Sequence, residues 1–233
     1  MPRVRVNFGA AILAALPIIA CSGANSNPRA ADTPPAQQGA RTLNAPDPLL
    51  VAADRGRIAG DSTARTWVVM ASDFQCPFCK QWHAETYRTL VNEYVRSGKI
   101  RLAYINYPLG QHQNAVPMAN AAMCASAQGK FWEFHDAIFE TQQRWAPMPN
   151  PRPVIDSIAG TVGVNIPAWT QCYESDRMLP LIFADRDRAS KGGVGSTPTF
   201  LIGDQTLAGA QPIDSMRPLI DAAIAKSGSR SPQ

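Results

Sequence analysis

Cys76 and Cys79, separated by Pro77 and Phe78, form the stretch of this chain best equipped for chemistry. Spacing of i and i+3 puts two side chains on one face of a helix, close enough for their thiols to close a small disulfide ring. The residues before the pair, Thr66-Trp67-Val68-Val69-Met70-Ala71, are rich in β-formers, and those after it, Lys80 to Arg96, show helical spacing. The pair therefore falls where a strand runs into a helix. Pro77 suits the first helical turn, where its missing N–H costs nothing. Cys76 then sits where unpaired N–H groups and the helix dipole favour an anion. A thiolate is the attacking species in disulfide exchange, and in such motifs its pKa falls to about 3.5–7.5. On this reading Cys76 is an exposed nucleophile and Cys79, one turn further in, is the resolving thiol. Two blander chemistries share the spacing. A four-cysteine zinc site needs a second close pair, and Cys124 and Cys172 stand too far apart in the chain to make one. A purely structural bridge across so short a loop removes little entropy from the unfolded chain. No metal or cofactor is expected.

The other residues that tempt a chemical reading are weaker. His83, one turn beyond Cys79, is read as a surface or packing residue, and His112 and His135 as isolated, without metal-ligand spacing. Phe131, Trp132, Phe134 and Phe139 follow helical spacing and are assigned to the core.

The elements that position the cysteines follow from periodicity. A buried strand over 66–71, a helix over 80–96 stopped by Gly98, and a strand over 100–107 closed by Pro108 make a β-α-β unit with parallel strands. From about 113 to 190 the pattern is helical, with helices expected over 115–128, 131–144, 154–162, 167–174 and 179–190. Thr199-Phe200-Leu201-Ile202 and Gln205 to Ala208 form a hairpin across Gly203-Asp204, a pair that favours a type I′ turn. Pro212 to Ala225 is the closing helix. The fold class is α/β, with a helical insertion between the β-α-β unit and the C-terminal hairpin and helix.

Outside this domain the composition changes. Arg3 and Arg5 precede an uncharged stretch from Phe8 to Ala20, too short for the about 20 apolar residues that span a bilayer. Residues 1–20 read as an export signal. Ile18-Ile19-Ala20-Cys21 resembles the bacterial lipobox, which makes Cys21 a lipid anchor and holds the protein on a membrane facing the periplasm or cell exterior. Residues 21–48 form a flexible tether of Ala, Pro, Asn, Gln and Ser, 49–226 the folded domain, and 227–233 a disordered tail. Loss of Arg3 and Arg5 lowers the net charge from +4 to +2. Without a basic run, that charge gives no footprint for nucleic acid. In an oxidising compartment Cys124 and Cys172 are expected to form a second disulfide that clips two insertion helices.

Three stretches carry a family resemblance. Asp73-Phe74-Gln75-Cys76-Pro77-Phe78-Cys79-Lys80 resembles the active-site signature of DsbA-like bacterial thiol:disulfide oxidoreductases. Gly195-Ser196-Thr197-Pro198-Thr199-Phe200 resembles their cis-proline loop, and Gln128 to Asp136 a stretch of their helical insertion. They fall in the family's order between about Gly60 and Ala225. The resemblance implies a thioredoxin-like fold, a cis Thr197–Pro198 bond packed on the cysteine pair, and a Thr197 backbone that receives a client peptide by strand addition. It also implies as partners unfolded or reduced exported proteins and a membrane redox partner, a quinone-linked DsbB-like or VKOR-like oxidase or else a reductase. One position departs from the pattern: many relatives carry a buried acid six residues before the first cysteine, where this chain has Met70. The isomerases of the superfamily are dimers held by an extra folded N-terminal domain. A short tether in that place argues for a monomeric oxidase. The alternatives are an isomerase or reductase kept reduced by a membrane partner, and a non-catalytic thioredoxin-like binding lipoprotein.

Overall fold

The computed structural model describes residues 47–228. The export signal, Cys21, the tether up to residue 46 and the tail from residue 229 lie outside the described residues. Helix α1 (Pro48–Gly56) opens the described part, with the Asp47 side chain accepting from the Leu49 N–H at 3.0 Å and proline in its first turn. The expected tether therefore overran a helix start: Asp47-Pro48 is a capping signal that composition alone hides. Gly56 lets the end of α1 pack tightly, because a Cβ there would lie 2.3 Å from the Ser126 carbonyl oxygen.

Strand β1 (Ile58–Ala59) is followed by β2 (Thr66–Ser72), helix α2 (residues 77–95) and β3 (Ile100–Asn106). Strands β2 and β3 are parallel, Val68 opposite Leu102 and Met70 opposite Tyr104, with α2 as the crossover. Helix α2 widens to π pitch at His83–Tyr87 and again at Val91–Val95. The insertion supplies α3 (Ala115–Ser126), α4 (Phe131–Trp145), α5 (Arg152–Val162), α6 (Ile166–Glu174) and α7 (Leu179–Lys191). Strands β4 (Thr199–Ile202) and β5 (Gln205–Ala208) and helix α8 (Ile213–Gly228) complete the order. The sheet runs β1-β3-β2-β4-β5, so β2 is central and delivers the cysteine pair from its C-terminal end.

Two expectations at the end of the chain are corrected. The 203–204 turn is not type I′, which needs positive φ at both central residues. Only Gly203 has it (φ 62°), and Asp204 does not, which is the φ pattern of a type II′ turn with glycine first. The tail also begins later than residue 227. Ser227 belongs to α8, and its hydroxyl lies 2.7 Å from that of Thr66 on β2.

The core lies between the sheet, α2 and the insertion, and includes Met70, Phe74, Tyr104, Phe131, Phe134 and Trp145. Burying each large side chain contributes on the order of 1.5–3 kcal/mol. A buried polar knot crosses this core. Asp185 on α7 accepts from Arg57, from the Asn106 N–H and side-chain amide at 3.2 and 3.0 Å, and from Arg188 at 2.8 Å. Among the described residues no helix is long and apolar enough to cross a membrane.

Candidate active site

Cys76 caps the N-terminus of α2 in an extended conformation, and Pro77 occupies the first helical position. Both Cys76 and Cys79 are free thiols. Neither is open to solvent: Cys76 is 3% exposed and Cys79 1%. This corrects the expectation of an exposed nucleophile. The Thr197–Pro198 loop lies over the sulfur, with Cys76 Sγ 3.4 Å from the Thr197 carbonyl oxygen. That Thr197–Pro198 peptide bond is cis. The side chain that projects beside the pair is Phe78, 59% exposed.

The two thiols are driven apart in acidity. Cys76 is lowered to about 6, chiefly by its hydrogen bond with the Cys79 thiol. Burial opposes that effect, and Thr197 and the backbone N–H groups of Cys79 and Phe78 add to it. Cys79 is pushed well above the ordinary thiol range, first by burial and then by Cys76. At neutral pH one sulfur of the pair is therefore ready to carry charge and the other holds its proton.

The loop between β2 and α2 is held by groups that motif reading overlooked. Asp73 is buried; its carboxylate accepts from the Gln75 N–H at 2.7 Å and the Leu109 N–H at 2.8 Å, and pairs with His112 Nδ1 at 2.7 Å. Its own N–H donates to Cys79 Sγ at 3.5 Å. Gln142 on α4 donates to the carbonyls of Phe74 and Cys76. The Asp73-x-Gln75 spacing, an Asx-type turn, was a local signal for the first of these. Gln142 had no such signal.

Met70 lies 1% exposed at the position where the resemblance expects an acid. Its partner on β3 is Tyr104, whose hydroxyl is fully buried beside Ser72. Burial and then Cys79 push that phenol well above its ordinary range.

The histidines are not isolated. His112 faces Asp73, while His83 Nε2 and His135 Nδ1 approach the same Asp136 oxygen at 3.1 and 2.8 Å. His83, His135 and Asp136 are the one group of three potential metal ligands close together among the described residues. Two imidazole N–H groups on one carboxylate already satisfy it. His83 is buried at 6% exposure, so its surface reading is corrected and packing remains. Away from the pair, Cys124 on α3 and Cys172 on α6 are joined by a disulfide, with Cα atoms 5.8 Å apart.

Comparison with known proteins places this geometry. The chain matches the family model described as thioredoxin over residues 52–222. It is 28% identical over 170 residues to a probable disulfide bond formation protein D of Bacillus cereus, covering 72% of this chain and 78% of that protein. Its fold is similar to the crystal structure of Wolbachia pipientis alpha-DsbA1, with a TM-score of 0.65, 19% identity and coverage of 73% of this chain and 92% of that one. It is equally similar to oxidised BdbD from Bacillus subtilis, with a TM-score of 0.66, 18% identity and coverage of 73% and 94%. With a strand-to-helix cysteine pair in place and most of its described length matched, the chain belongs to the thioredoxin family, as a DsbA-like disulfide oxidoreductase.

Proposed function

We propose that the chain is an exported, lipid-anchored oxidase that donates a Cys76–Cys79 disulfide to reduced client proteins. The lowered Cys76 thiol carries this reading. A client thiolate attacks the Cys76 sulfur, the Cys76–Cys79 bond breaks, and Cys79 leaves and takes a proton, as its raised pKa favours. A second client thiolate attacks the client sulfur of the mixed disulfide, and Cys76 leaves as a thiolate. A sulfur of low pKa leaves faster, and stabilising it in the reduced form makes the disulfide a stronger oxidant. The client gains a disulfide, and two electrons and two protons are left on the pair and its surroundings. A membrane partner of the DsbB-like or VKOR-like class then removes them. In this reading the Thr197 backbone beside Cys76 receives the client strand through main-chain hydrogen bonds, which suits clients of many sequences. Cys21 is the anchor and the protein works as a monomer.

Equilibrating the purified chain with glutathione buffers tests the direction. A potential nearer about −120 mV than −270 mV is expected of an oxidase. A value near the lower figure would replace this reading by a reductase or isomerase. Oxidation of reduced ribonuclease by the wild type and by Cys76→Ser tests the site: equal activity would remove the pair from the mechanism and leave a binding lipoprotein.

A further inference from the structure

We propose that Gln142, on insertion helix α4, is a positioning residue for thiol exchange at Cys76, an inference that rests on Cys76 being the thiol that ionises. Gln142 is 4% exposed, and its Nε2 donates to the Phe74 carbonyl at 2.7 Å and to the Cys76 carbonyl at 3.0 Å. These two carbonyls bracket the turn that carries the nucleophile from β2 into α2. Buried carbonyls must find donors: the Cys76 oxygen also accepts from the Lys80 N–H at 3.2 Å in the first turn of α2, while Gln142 is the donor that holds the Phe74 oxygen toward the insertion. The sulfur is left beside N–H groups of Phe78 and Cys79. The Cys76 carbonyl keeps its bond to Lys80 without Gln142, but a Phe74 carbonyl free to swing back would set its negative end against a thiolate, and in a buried site that repulsion is poorly screened.

The surrounding clamp gives Gln142 a fixed reach. Gln75 donates to the Ala146 carbonyl at 3.0 Å and accepts from the Asn114 N–H at 2.7 Å, while the Asn114 amide donates to the Met148 carbonyl at 2.8 Å. The end of α4 and the start of α3 thus grip the cysteine loop from one side. The insertion is part of the redox centre's electrostatics, beyond any role as a cover. The other titratable groups around the loop are Cys79, the Asp73–His112 pair, Tyr104 on β3 and Lys80 next to Cys79 on α2, and replacing Gln142 removes none of them.

The test is an ultraviolet thiolate titration of the reduced full chain, in which Cys124 and Cys172 stay bonded and Cys79 titrates far above Cys76. Gln142→Met keeps the length and loses the donors; the Cys76 midpoint is expected to rise by about half to one pH unit, a threefold to tenfold loss of thiolate below the midpoint. Gln142→Glu sets an acceptor against both carbonyls and is expected to raise it further. Should both variants melt earlier with an unmoved midpoint, Gln142 is a packing residue and the proposal is overturned. Should the unsubstituted chain show no thiolate transition below about pH 8, close to a free thiol, the reading of Cys76 itself fails, a separate outcome.

Discussion

The His135 ring is enclosed by Phe74, Tyr104, Trp132 and Phe139, and burial pushes its pKa down to about 4. Asp136 is held well below the usual carboxylate range, against burial, by hydrogen bonds from His135 and then His83. The fold thus keeps His135 neutral where an unfolded chain would protonate it. Its stability contribution is complete above about pH 6.5 and is lost as pH falls toward 4, with a ceiling of about 3 kcal/mol. Urea midpoints measured across that window should fall with pH, and His135→Gln should flatten the slope; an unchanged slope would place the acid sensitivity elsewhere. At this scale the cysteine pair was readable because everything that defines it lies within a few residues. His83 and Asp136 are 53 residues apart and meet only through the packing of α2 on α4. No local pattern announces such a meeting, and the same holds for Gln142 and the loop it grips.

Among the elements, periodicity located the β-α-β unit, the insertion helices and the hairpin to within a few residues. It missed α1 and β1 for different reasons. The first opens on a capping signal inside a polar, proline-rich run, and the second is too short to show a period. Strand β1 is docked by its antiparallel pairing with β3 and α1 by its contact with Ser126 on α3. The Asp185 knot adds a tie from the turn after α1 to the end of β3 and to α7. Arg57 is 3% exposed, and its pairing with Asp185 spans 128 residues. Breaking one side of such a buried pair leaves a charge without its full complement and costs about 3–5 kcal/mol. Asp185→Asn should lose that much in chemical denaturation, and Arg57→Met with Asp185→Leu should recover most of it. A loss below about 1 kcal/mol, the worth of an exposed pair, would mean that α1 docks without help from the knot.

For the whole molecule, the Cys124–Cys172 disulfide ties α3 to α6 across 48 residues of chain. Both residues are buried and far in sequence from the reactive pair. Removing the bridge as Cys124→Ala with Cys172→Ala should cost about 2–4 kcal/mol, and disulfide exchange at Cys76 should persist at temperatures where the variant stays folded. Loss of exchange in the folded variant would tie the bridge to the chemistry.

One chain thus carries two sulfur pairs with opposite duties. On the proposed function the pair beside Thr197 opens and closes at every turnover, while the pair in the insertion stays closed. An oxidase built this way has two thresholds of reduction, and it works only in the interval between them. Below the first it has no disulfide to give, and beyond the second its scaffold loosens. The width of that interval, more than the position of either edge, determines how large a swing in its surroundings the protein can tolerate and still be recharged.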